Sequence, residues 1–495
     1  MSPLIQSDSQ IKLYQTIEYK KSGLNSHRCF ELENKIDTQF EFYPFRYPWA
    51  YFNLGDNGEV SCVFQYPSFF SQFFSILPIT YNYFNLIILL LYILLCFILM
   101  LGFRIVFQLN KLEYILLGGI FFLVGFGITS AFEFSESVPA HIFLSLLFFS
   151  IFAIEMGQKV HFLLLMTFGF LGAISIFLRS ESIMYIGITG FVLCYYHRNE
   201  FLLFVRRYIP FVIGALLSII LFASYNYSEF GEIFGVRSKI SLIDFTRLSI
   251  SERIHLISEF FLGNENRVGF LSYCFPSIVL IIYSYFKGNL NSFQKKYINI
   301  MVLSFLCIVI LSPYSSGGLY AGMRFTEFTY LLMTVYVVIT YLNAQDKVFK
   351  RICFSFIILQ IGFGVFHVRK NIKNLDYIKK YHEIYQTKLD QYPDSPVLHL
   401  STFDLLLISD SFLKKPHWIV NHQKKFDKLE EKLIENSVSS FQVFVYDFTP
   451  PKDDNVTMDF YKEWIDTKYE IKSKYFQKQS DEKIAGFRLM LWKKK

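Results

Sequence analysis

The stretch SPYSSGGLYAGMRFTEFTYL, residues 312–331, places one arginine at the point where a hydrophobic run begins. A glycine-bearing loop precedes Arg324, and the apolar run after it continues to about residue 342 with Glu327 as its one acidic residue. A charged side chain at this depth is costly unless it reaches water or binds an anion. Arg324 is therefore either an interface anchor or a binding group at the start of a membrane helix.

The whole chain is more apolar than a soluble domain. Of its 495 residues, 53% are hydrophobic and 19% are aromatic. The apolar residues gather between about residues 82 and 366, in runs close to the roughly 20 residues that cross a bilayer. These features predict an all-α polytopic protein of the lipid bilayer. The net charge of +7 follows from basic loops on one side and indicates no nucleic-acid partner.

About ten transmembrane helices are expected from the lengths of these runs. Alternating sides from the first span places basic residues such as Arg198, Lys295 and Lys347 together, on the side that the positive-inside rule makes cytoplasmic. The outer side then carries the acidic loops and both ends of the chain. The expected spans cover approximately residues 82–101, 112–131, 138–155, 160–177, 183–196, 209–225, 270–285, 298–311, 325–342 and 352–366.

The chain divides into three expected domains. Residues 1–80 predict an extracytoplasmic first loop with interfacial helices, one of them over residues 68–77. Residues 81–367 predict the transmembrane helical domain. Residues 368–495, where charges become frequent, predict a small extracytoplasmic C-terminal α/β domain.

The C-terminal domain shows its own pattern of elements. Residues 397–409 and 441–448 predict buried strands, and residues 424–435 predict a charged helix. Asp453 and Asp454 lie in a proline-bounded loop, which we interpret as a solvated turn and not as a metal site.

The N-terminal segment combines aromatic stretches with two cysteines. Aromatic and proline-rich sequences, such as residues 43–49 and 66–70, predict segments at the headgroup level of the membrane. A disulfide between Cys29 and Cys62 is expected if the compartment is oxidising. Residues 1–20 contain no apolar core of a signal peptide, so we expect a further membrane helix upstream of them.

Polar residues of the outer side form the candidate site. Asp8, Lys12, Gln15 and Glu18 recur at helical spacing, which indicates either a binding mouth or a solvated amphipathic helix on the membrane. Acids and arginines that converge at one membrane face suit a site that holds a lipid-linked phosphate and removes a proton nearby. The charged members of this set are Asp8, Glu133, Glu136, Arg179, Glu181, Arg237 and Arg324.

Two of these groups have simpler interpretations. Glu133 and Glu136, between two spans, can act as acid, base or metal ligand, or can mark the water boundary. Arg179 and Glu181 interrupt an apolar block and predict a hairpin turn whose charges pair with each other or face a polar cavity.

The order of six motifs resembles the polytopic glycosyltransferases with the GT-C fold, which take a sugar from a polyprenyl-phosphate carrier. The resemblance covers most of residues 5–345. The family has a membrane helix before its acidic residue, whereas seven residues precede Asp8 here. In chain order the motifs are SDSQIKLYQ (7–15), YPFRYPWAYF (43–52), FEFSES (132–137), LRSES (178–182), NYSEFGEIFG (226–235) and GGLYAGMRF (317–325).

The resemblance implies an inverting sugar transfer to a lipid, glycan or protein acceptor in the outer leaflet. Asp8 would be the general base, with Lys12 and Gln15 shaping the mouth around it. Arg324, helped by Arg179, would bind the phosphate of the polyprenyl carrier and stabilise it as the leaving group.

The remaining acids would contact the substrates, and they are Glu133, Glu136 and Glu181. No Asp-x-Asp pair of the kind that holds a metal in nucleotide-sugar enzymes is present, which fits a lipid-phosphate donor. No cofactor is required by this pattern, and dependence on a divalent cation stays open. The richness in Phe, Ile, Lys, Asn and Tyr is typical of an AT-rich bacterial genome. We expect a bacterial inner membrane with the active site facing the periplasm.

Three other interpretations stay open. A flippase for lipid-linked saccharides would also need basic residues at the membrane mouth, together with internal repeats and broken spans. A glycan polymerase or ligase would carry its arginines in a large loop between late spans. The motifs would also persist in a protein that keeps the scaffold and has lost catalysis.

Overall fold

A computed structural model describes most of the chain, and contacts between residues divide it into two compact units. Unit 1 is built from Asn82–Lys373, and unit 2 from Leu4–Tyr81 together with Asn374–Lys495. Residues of the expected first and third domains therefore pack within the same unit. The described residues are 8–24, 27–32, 36–45, 49–54, 60–107, 131, 133–264, 267–287, 290–313, 324–400, 409–446, 470–484 and 486–495.

Helices dominate the described chain. Three-residue 3₁₀ turns at Tyr81–Tyr83, Arg198–Glu200 and Arg324–Thr326 lead into α3, α7 and α12 of the following series. The helices are α1 (Asp8–Ser22), α2 (Ser68–Ile76), α3 (Phe84–Phe107), α4 (Ser137–Glu155), α5 (Phe162–Leu178), α6 (Ser182–Tyr196), α7 (Phe201–Phe230), α8 (Val236–Arg247), α9 (Ile250–Leu262), α10 (Phe270–Phe286), α11 (Ser292–Leu311), α12 (Glu327–Asn343), α13 (Lys347–Asp390), α14 (Ser409–Phe412) and α15 (Gln423–Glu435).

Strands form three small sheets within the described residues. β1 pairs antiparallel with β2, and β3 pairs antiparallel with β4. The largest sheet has the order β6-β5-β7-β9-β8, with β5 parallel to both neighbours and β9 antiparallel to both of its own. The strands are β1 (Ala50–Leu54), β2 (Val60–Phe64), β3 (Gly263–Asn264), β4 (Arg267–Val268), β5 (Val397–His399), β6 (His417–Ile419), β7 (Ser440–Tyr446), β8 (Phe476–Ile484) and β9 (Phe487–Lys494).

Unit 1 is a helical membrane assembly. Five helices are long and apolar enough to cross a bilayer, namely α3, α4, α7, α11 and α13, and α5, α6 and α10 are apolar but shorter. A helix suits this environment because it satisfies its backbone hydrogen bonds internally. The ten expected spans are not confirmed as spans. Nine of them coincide with helices, and the second, over residues 112–131, lies outside the described residues apart from its last one.

Glycines allow α5 and α7 to pack in direct backbone contact. A Cβ atom on Gly214 would lie 1.9 Å from the carbonyl oxygen of Met166, and one on Gly169 would lie 2.3 Å from that of Phe211. Small residues at such crossings let helix backbones approach closely in membranes. The two glycines therefore set how closely α5 and α7 pack within unit 1.

Two further helices, α8 and α9, lie between α7 and α10. Helix α9 begins at a capping box, in which the Ser249 side chain accepts from the Glu252 backbone and the Glu252 side chain accepts from the Ser249 backbone. The sequence contained the signal, because Ser-x-x-Glu before an apolar run marks a helix start.

Unit 2 joins the N-terminal segment to the C-terminal sheet. Tyr14 of α1 packs against Phe412, with ring centroids 4.7 Å apart, and Tyr385 near the end of α13 packs against Phe487 at 4.5 Å. The predicted strand at residue 397, the strand at residue 441 and the charged helix are present as β5, β7 and α15. Asp453 and Asp454 lie outside the described residues.

The aromatic N-terminal stretches form protein core and not a membrane-surface belt. Tyr43, Phe45, Trp49 and Tyr66 are buried in the cluster that contains α1 and the sheet. The headgroup-level prediction was wrong for these residues because their rings are buried inside unit 2, where Tyr43 and Phe45 pack against Phe412. Cys29 and Cys62 form a disulfide in the same cluster, with Cα atoms 5.3 Å apart.

Candidate functional site

The turn between α5 and α6 holds a buried ion pair in unit 1. Arg179 Nε donates to Glu181 Oε1 at 2.6 Å, and a second guanidinium nitrogen contacts the same oxygen. Helix α5 ends at Leu178 because the Arg179 backbone turns extended, with φ −139° and ψ 107°. The hairpin turn that the sequence predicts here is present, and its two charges face each other.

Glu136 connects this turn to α8. Its Oε1 lies 3.9 Å from Arg179 Nη1 and 3.4 Å from Arg237 Nη1, and its side chain is fully buried. Glu136 immediately precedes α4, where the positive end of the helix dipole favours a carboxylate. Two arginines and two glutamates thus balance each other, which is the condition under which charges are buried at tolerable cost.

Residues at the start of α12 contact this charged cluster. The guanidinium carbon of Arg179 lies 5.8 Å from the ring centroid of Phe325, within range of a cation–π interaction. His141 Nε2 is 3.9 Å from Glu327 Oε2, which ties α4 to α12. Glu133 is buried in the loop that precedes α4.

Arg324 itself begins the 3₁₀ turn that leads into α12. The apolar run after it forms a helix, as expected, and nearly every residue of α12 up to Thr340 is buried inside the unit. Arg324 therefore stands directly before Phe325 at the entrance to a buried helix.

An open groove of about 350 Å³ lies beside the charged cluster. Helix α8 turns one face to it, through Ser238, Ser241, Leu242 and Phe245 at helical spacing. Glu181 and Phe325 also line it, so the ion pair and the start of α12 border the same space. The groove combines serine hydroxyls and one carboxylate with apolar walls from α6, α8 and α11, which suits a ligand with a polar head and an apolar chain.

A second polar group surrounds Asp8 in unit 2. The Tyr66 hydroxyl donates to Asp8 Oδ1, and the Lys12 ammonium lies 4.9 Å above the Tyr66 ring. Gln65 Nε2 donates to the same hydroxyl at 3.4 Å. Asp8, in the first turn of α1, is half-buried, whereas Lys12 is buried. The group therefore holds a carboxylate, a phenol and an ammonium within contact distance.

Gln15 and Glu18 continue this face of α1 into the interior. Ser71 Oγ donates to Gln15 Oε1 at 3.1 Å, and Arg28 Nε lies 3.2 Å from Glu18 Oε1. Burial raises the pKa of Glu18, and the charges of Arg28 and Lys21 partly offset that rise. The alternative of a solvated amphipathic helix is wrong for α1, because most of its residues are buried inside unit 2.

The predicted site residues thus belong to two different units. Glu136, Arg179 and Glu181 come together in unit 1, and Asp8, Lys12 and Gln15 lie along one helix in unit 2. The sequence pointed to Arg237 but not to its contact with Glu136, because 101 residues separate the two.

Other members of the site were missed from the sequence. The serines of α8 carry a detectable signal, since Ser238, Ser241, Leu242 and Phe245 follow the i, i+3, i+4, i+7 pattern of a helix face. Tyr66 and Ser71, which contact Asp8 and Gln15, carried no such signal because their contacts depend on how α1 and α2 pack.

Within the described part of the chain, no three His, Cys, Asp or Glu side chains come together as a metal site. No protein family, curated protein or solved structure matches this chain.

Proposed function

We propose that this chain is an inverting membrane glycosyltransferase that moves a sugar from a polyprenyl-phosphate carrier to a lipid, glycan or protein acceptor. The observation that supports this most directly is the groove of unit 1, which has apolar walls and, at one border, serine hydroxyls beside the Arg179–Glu181 ion pair. A carrier lipid fits this groove, because its long apolar chain would pack against the apolar walls and its phosphate would lie at the polar border.

Each part of the groove has a role in this proposal. The apolar side chains of α6, α8 and α11, such as Leu242 and Leu311, bind the carrier chain. The groove serines donate hydrogen bonds to the phosphate or to the sugar. Arg324 binds the phosphate, for which a guanidinium is suited by its fixed charge and paired donors. In this proposal Arg179, which Glu181 and Glu136 hold in place, assists Arg324.

The reaction needs a base as well as a leaving-group site. A carboxylate removes the proton of the acceptor hydroxyl while that oxygen attacks the anomeric carbon, and the bond from this carbon to the carrier phosphate oxygen breaks. The phosphate leaves with the electron pair and is stabilised by arginine. The GT-C resemblance assigns the base to Asp8, whose oxygen accepts from Tyr66. Lys12 and Gln15, on the same helix as Asp8, shape the mouth around it. Glu133 contacts the sugar or the acceptor.

The proposed location is a bacterial inner membrane with the site on the periplasmic face. The Cys29–Cys62 disulfide supports an oxidising compartment for unit 2. The positive-inside rule places three basic residues in the cytoplasm: Arg198 just after α6, Lys295 in the first turn of α11, and Lys347 as the first residue of α13.

Sugar transfer by the full chain in membranes tests the proposal, with radiolabelled polyprenyl-phosphate sugars as donors. Asp8→Asn and Arg324→Ala are compared with Asp394→Asn and Arg369→Ala, whose parent side chains are exposed. We expect the first pair to lower transfer by about 100-fold or more, since general-base and leaving-group contributions are of this size. The control pair should leave transfer unchanged.

The groove has its own test in the same assay. Ser241→Phe places a ring on the face of α8 that lines the groove, and should raise the KM for the carrier. Ser251→Phe adds the same bulk at an exposed position near the start of α9 and serves as control. Equal KM values for both variants would argue against carrier binding in this groove.

Other outcomes select the alternatives. Unchanged transfer by Asp8→Asn would move the base to Glu133 or Glu136. Protein-dependent movement of the lipid across the bilayer, without transfer from any carrier, would favour a flippase. Extension of lipid-linked glycans by whole units would favour a polymerase or ligase.

A further inference from the structure

Helix α9 carries a row of apolar side chains on its exposed side. Ile250, Ile254, Ile257 and Phe261 follow the i, i+4, i+7, i+11 spacing of one helix face, and we call this row the α9 stripe. Ile250 is 79% exposed and Ile254 is 63% exposed, while Ile257 and Phe261 are half-buried. Single apolar residues on a surface are ordinary, but a continuous apolar patch indicates a partner.

The faces of α9 beside the stripe have a different character. Leu256 and Phe260 are buried, and the helix packs against α10 and α11 within unit 1. Ser251 and His255 are exposed, and they lie about 90° and 130° around the helix axis from the middle of the stripe. The helix therefore has one face on protein, one polar face and one apolar exposed face.

Arg253 fixes the rotation of α9 about its own axis. Its Nη2 donates to the backbone oxygen of Phe245 on α8 at 2.9 Å, and its guanidinium carbon lies 3.9 Å from the centroid of the Phe245 ring. This contact lies on the side of the helix opposite Ser251. Together with the buried face, it holds the stripe outward.

A ring contact gives the depth of one end of the stripe. Helix α11 has 20 residues and is about 30 Å long, which matches the thickness of the hydrocarbon core of a bilayer. Phe261 packs on Phe305 of α11, with ring centroids 5.3 Å apart, and Phe270 of α10 stacks on the same ring at 4.1 Å. Phe305 lies about 9 Å along the axis from Leu311, the last residue of α11. When α11 spans the bilayer, Phe261 therefore lies about 9 Å inside the edge of the hydrocarbon.

The same contact borders a surface that faces lipid. Val302, Leu306 and Ile310 of α11 are exposed and apolar, and α11 is long and apolar enough to cross the membrane. Val302 lies about 60° around the α11 axis from Phe305, and Leu306 about 100°. The stripe of α9 thus meets α11 at the edge of its exposed apolar face.

We propose that α9 is an interfacial helix whose stripe inserts into the leaflet that holds the C-terminal end of α11. The stripe contacts lipid because it begins at a depth where hydrocarbon surrounds α11 and borders the lipid-facing surface of that helix. Amphipathic helices at membranes bury their apolar faces by roughly 5–10 Å, in agreement with the depth of Phe261.

This anchoring has a consequence for α8. Arg253 ties α9 to Phe245, which lines the groove beside the charged cluster, so that wall of the groove lies at the same membrane surface. The contact with lipid does not rest on the glycosyltransferase proposal.

The test is electron paramagnetic resonance of the full chain in phosphatidylcholine nanodiscs, with a spin label at Ile254→Cys, Ser251→Cys or His255→Cys. These positions are close along the axis and exposed, and they differ in the face on which they lie. Oxygen relaxes a label among acyl chains, and a water-soluble nickel chelate relaxes a label in water. The free cysteines are first replaced by alanine, namely Cys96, Cys194, Cys274, Cys307 and Cys353.

We expect the ratio of oxygen to nickel relaxation to be about tenfold higher at position 254 than at 251 and 255, since apolar surroundings exclude polar solutes by at least this factor. Equal ratios at the three positions would overturn the proposal. A label at position 254 that neither reagent reaches would show that protein covers the stripe, and dipolar broadening between labels would identify a second copy of the chain. Either result would overturn the contact with lipid.

Photolabelling of the unmodified chain gives a second measurement that needs no variant. Phosphatidylcholine with a photoreactive group near the carbonyl end of one acyl chain is incorporated into the nanodiscs, and mass spectrometry maps the labelled residues. We expect label on Ile254 and Ile257 and not on Ser251 or His255. A map without label on the stripe, while Val302 and Leu306 are labelled, would overturn the proposal.

Discussion

Glu136 is the residue on which the charges of unit 1 depend most. Its fully buried carboxylate faces Arg179 and Arg237 from two other elements. If the carboxylate is removed, two guanidinium groups are left close together in a buried setting. Glu181 still pairs with Arg179, but losing a buried carboxylate that faces two guanidinium groups costs several times as much as losing an exposed ion pair.

We therefore expect Glu136→Gln to lower the free energy of unfolding by about 3 kcal/mol. Thermal unfolding of the purified protein in detergent would measure this. The control is Glu232→Gln, which removes the exposed partner of Lys239 and should cost less than about 1 kcal/mol. Similar losses for the two variants would show that the buried cluster adds little stability.

Two neutral histidines make unit 2 sensitive to acid. His399 Nε2 lies 2.8 Å from His417 Nδ1, and His417 Nε2 lies 2.9 Å from Ser411 Oγ, with all three residues buried. Burial lowers the pKa of His399 to about 3. It also lowers the pKa of His417, with His399 and Lys415 adding to the effect.

Because both pKa values are depressed by folding, the unfolded chain binds these protons first. Stability should be constant above about pH 6.5 and should fall as the pH drops from there toward about 3, by up to about 1.4 kcal/mol per pH unit for each histidine. Hydrogen exchange of β5 and β6 amides at several pH values would measure the slope. His399→Leu should reduce the slope, while His422→Asn, at an exposed helix cap, should not. A slope that survives His399→Leu unchanged would exclude this pair as its origin.

At the scale of elements, the crossing of α5 and α7 is set by glycine. Gly214 brings its backbone against Met166, and the space for a Cβ atom is already occupied by a carbonyl oxygen. A backbone oxygen cannot move away as a flexible side chain can. The helices must then separate, and an apolar groove that α7 shares with α5 and α6 must change with them.

Gly214→Ala should destabilise unit 1 by about 1–3 kcal/mol through overpacking. Gly362→Ala is the matched control, because Gly362 also lies inside a long apolar helix but a Cβ atom there meets nothing within 4 Å. Alanine at that position should be neutral or stabilising by up to about 1 kcal/mol, since it is a better helix former. Thermal unfolding in detergent compares the two. Equal stability would mean that the crossing relaxes without cost.

At the scale of the whole molecule, charge predicts how the chain lies in the membrane. Basic residues near the ends of α6, α11 and α13 should face the cytoplasm. In sealed vesicles of known orientation, an impermeant thiol reagent should label Ser251→Cys and Lys424→Cys from the periplasmic side. Lys295→Cys should be labelled from the cytoplasmic side alone. All three parent residues are exposed. The reverse pattern would invert the proposed orientation.

The sequence by itself determined the class of the protein and its local turns. Apolar runs of membrane length predicted the helices of unit 1, and the charged break at Arg179 and Glu181 predicted the hairpin between α5 and α6. The two cysteines outside the spans, Cys29 and Cys62, made a disulfide plausible in an oxidising compartment, and the structure joins them. These features are readable because each depends on neighbouring residues or on the contrast between water and lipid.

Only the tertiary structure decided what each polar residue contacts. Arg237 meets Glu136 across 101 positions, Tyr66 meets Asp8 across 58, and the N-terminal aromatics pack against a sheet whose first strand begins at Val397. Helical spacing predicted that Lys12 and Gln15 lie on one helix, but it did not show that other elements bury them. The physical reason is that burial and pairing depend on the packing of distant segments, which no local pattern of polarity encodes.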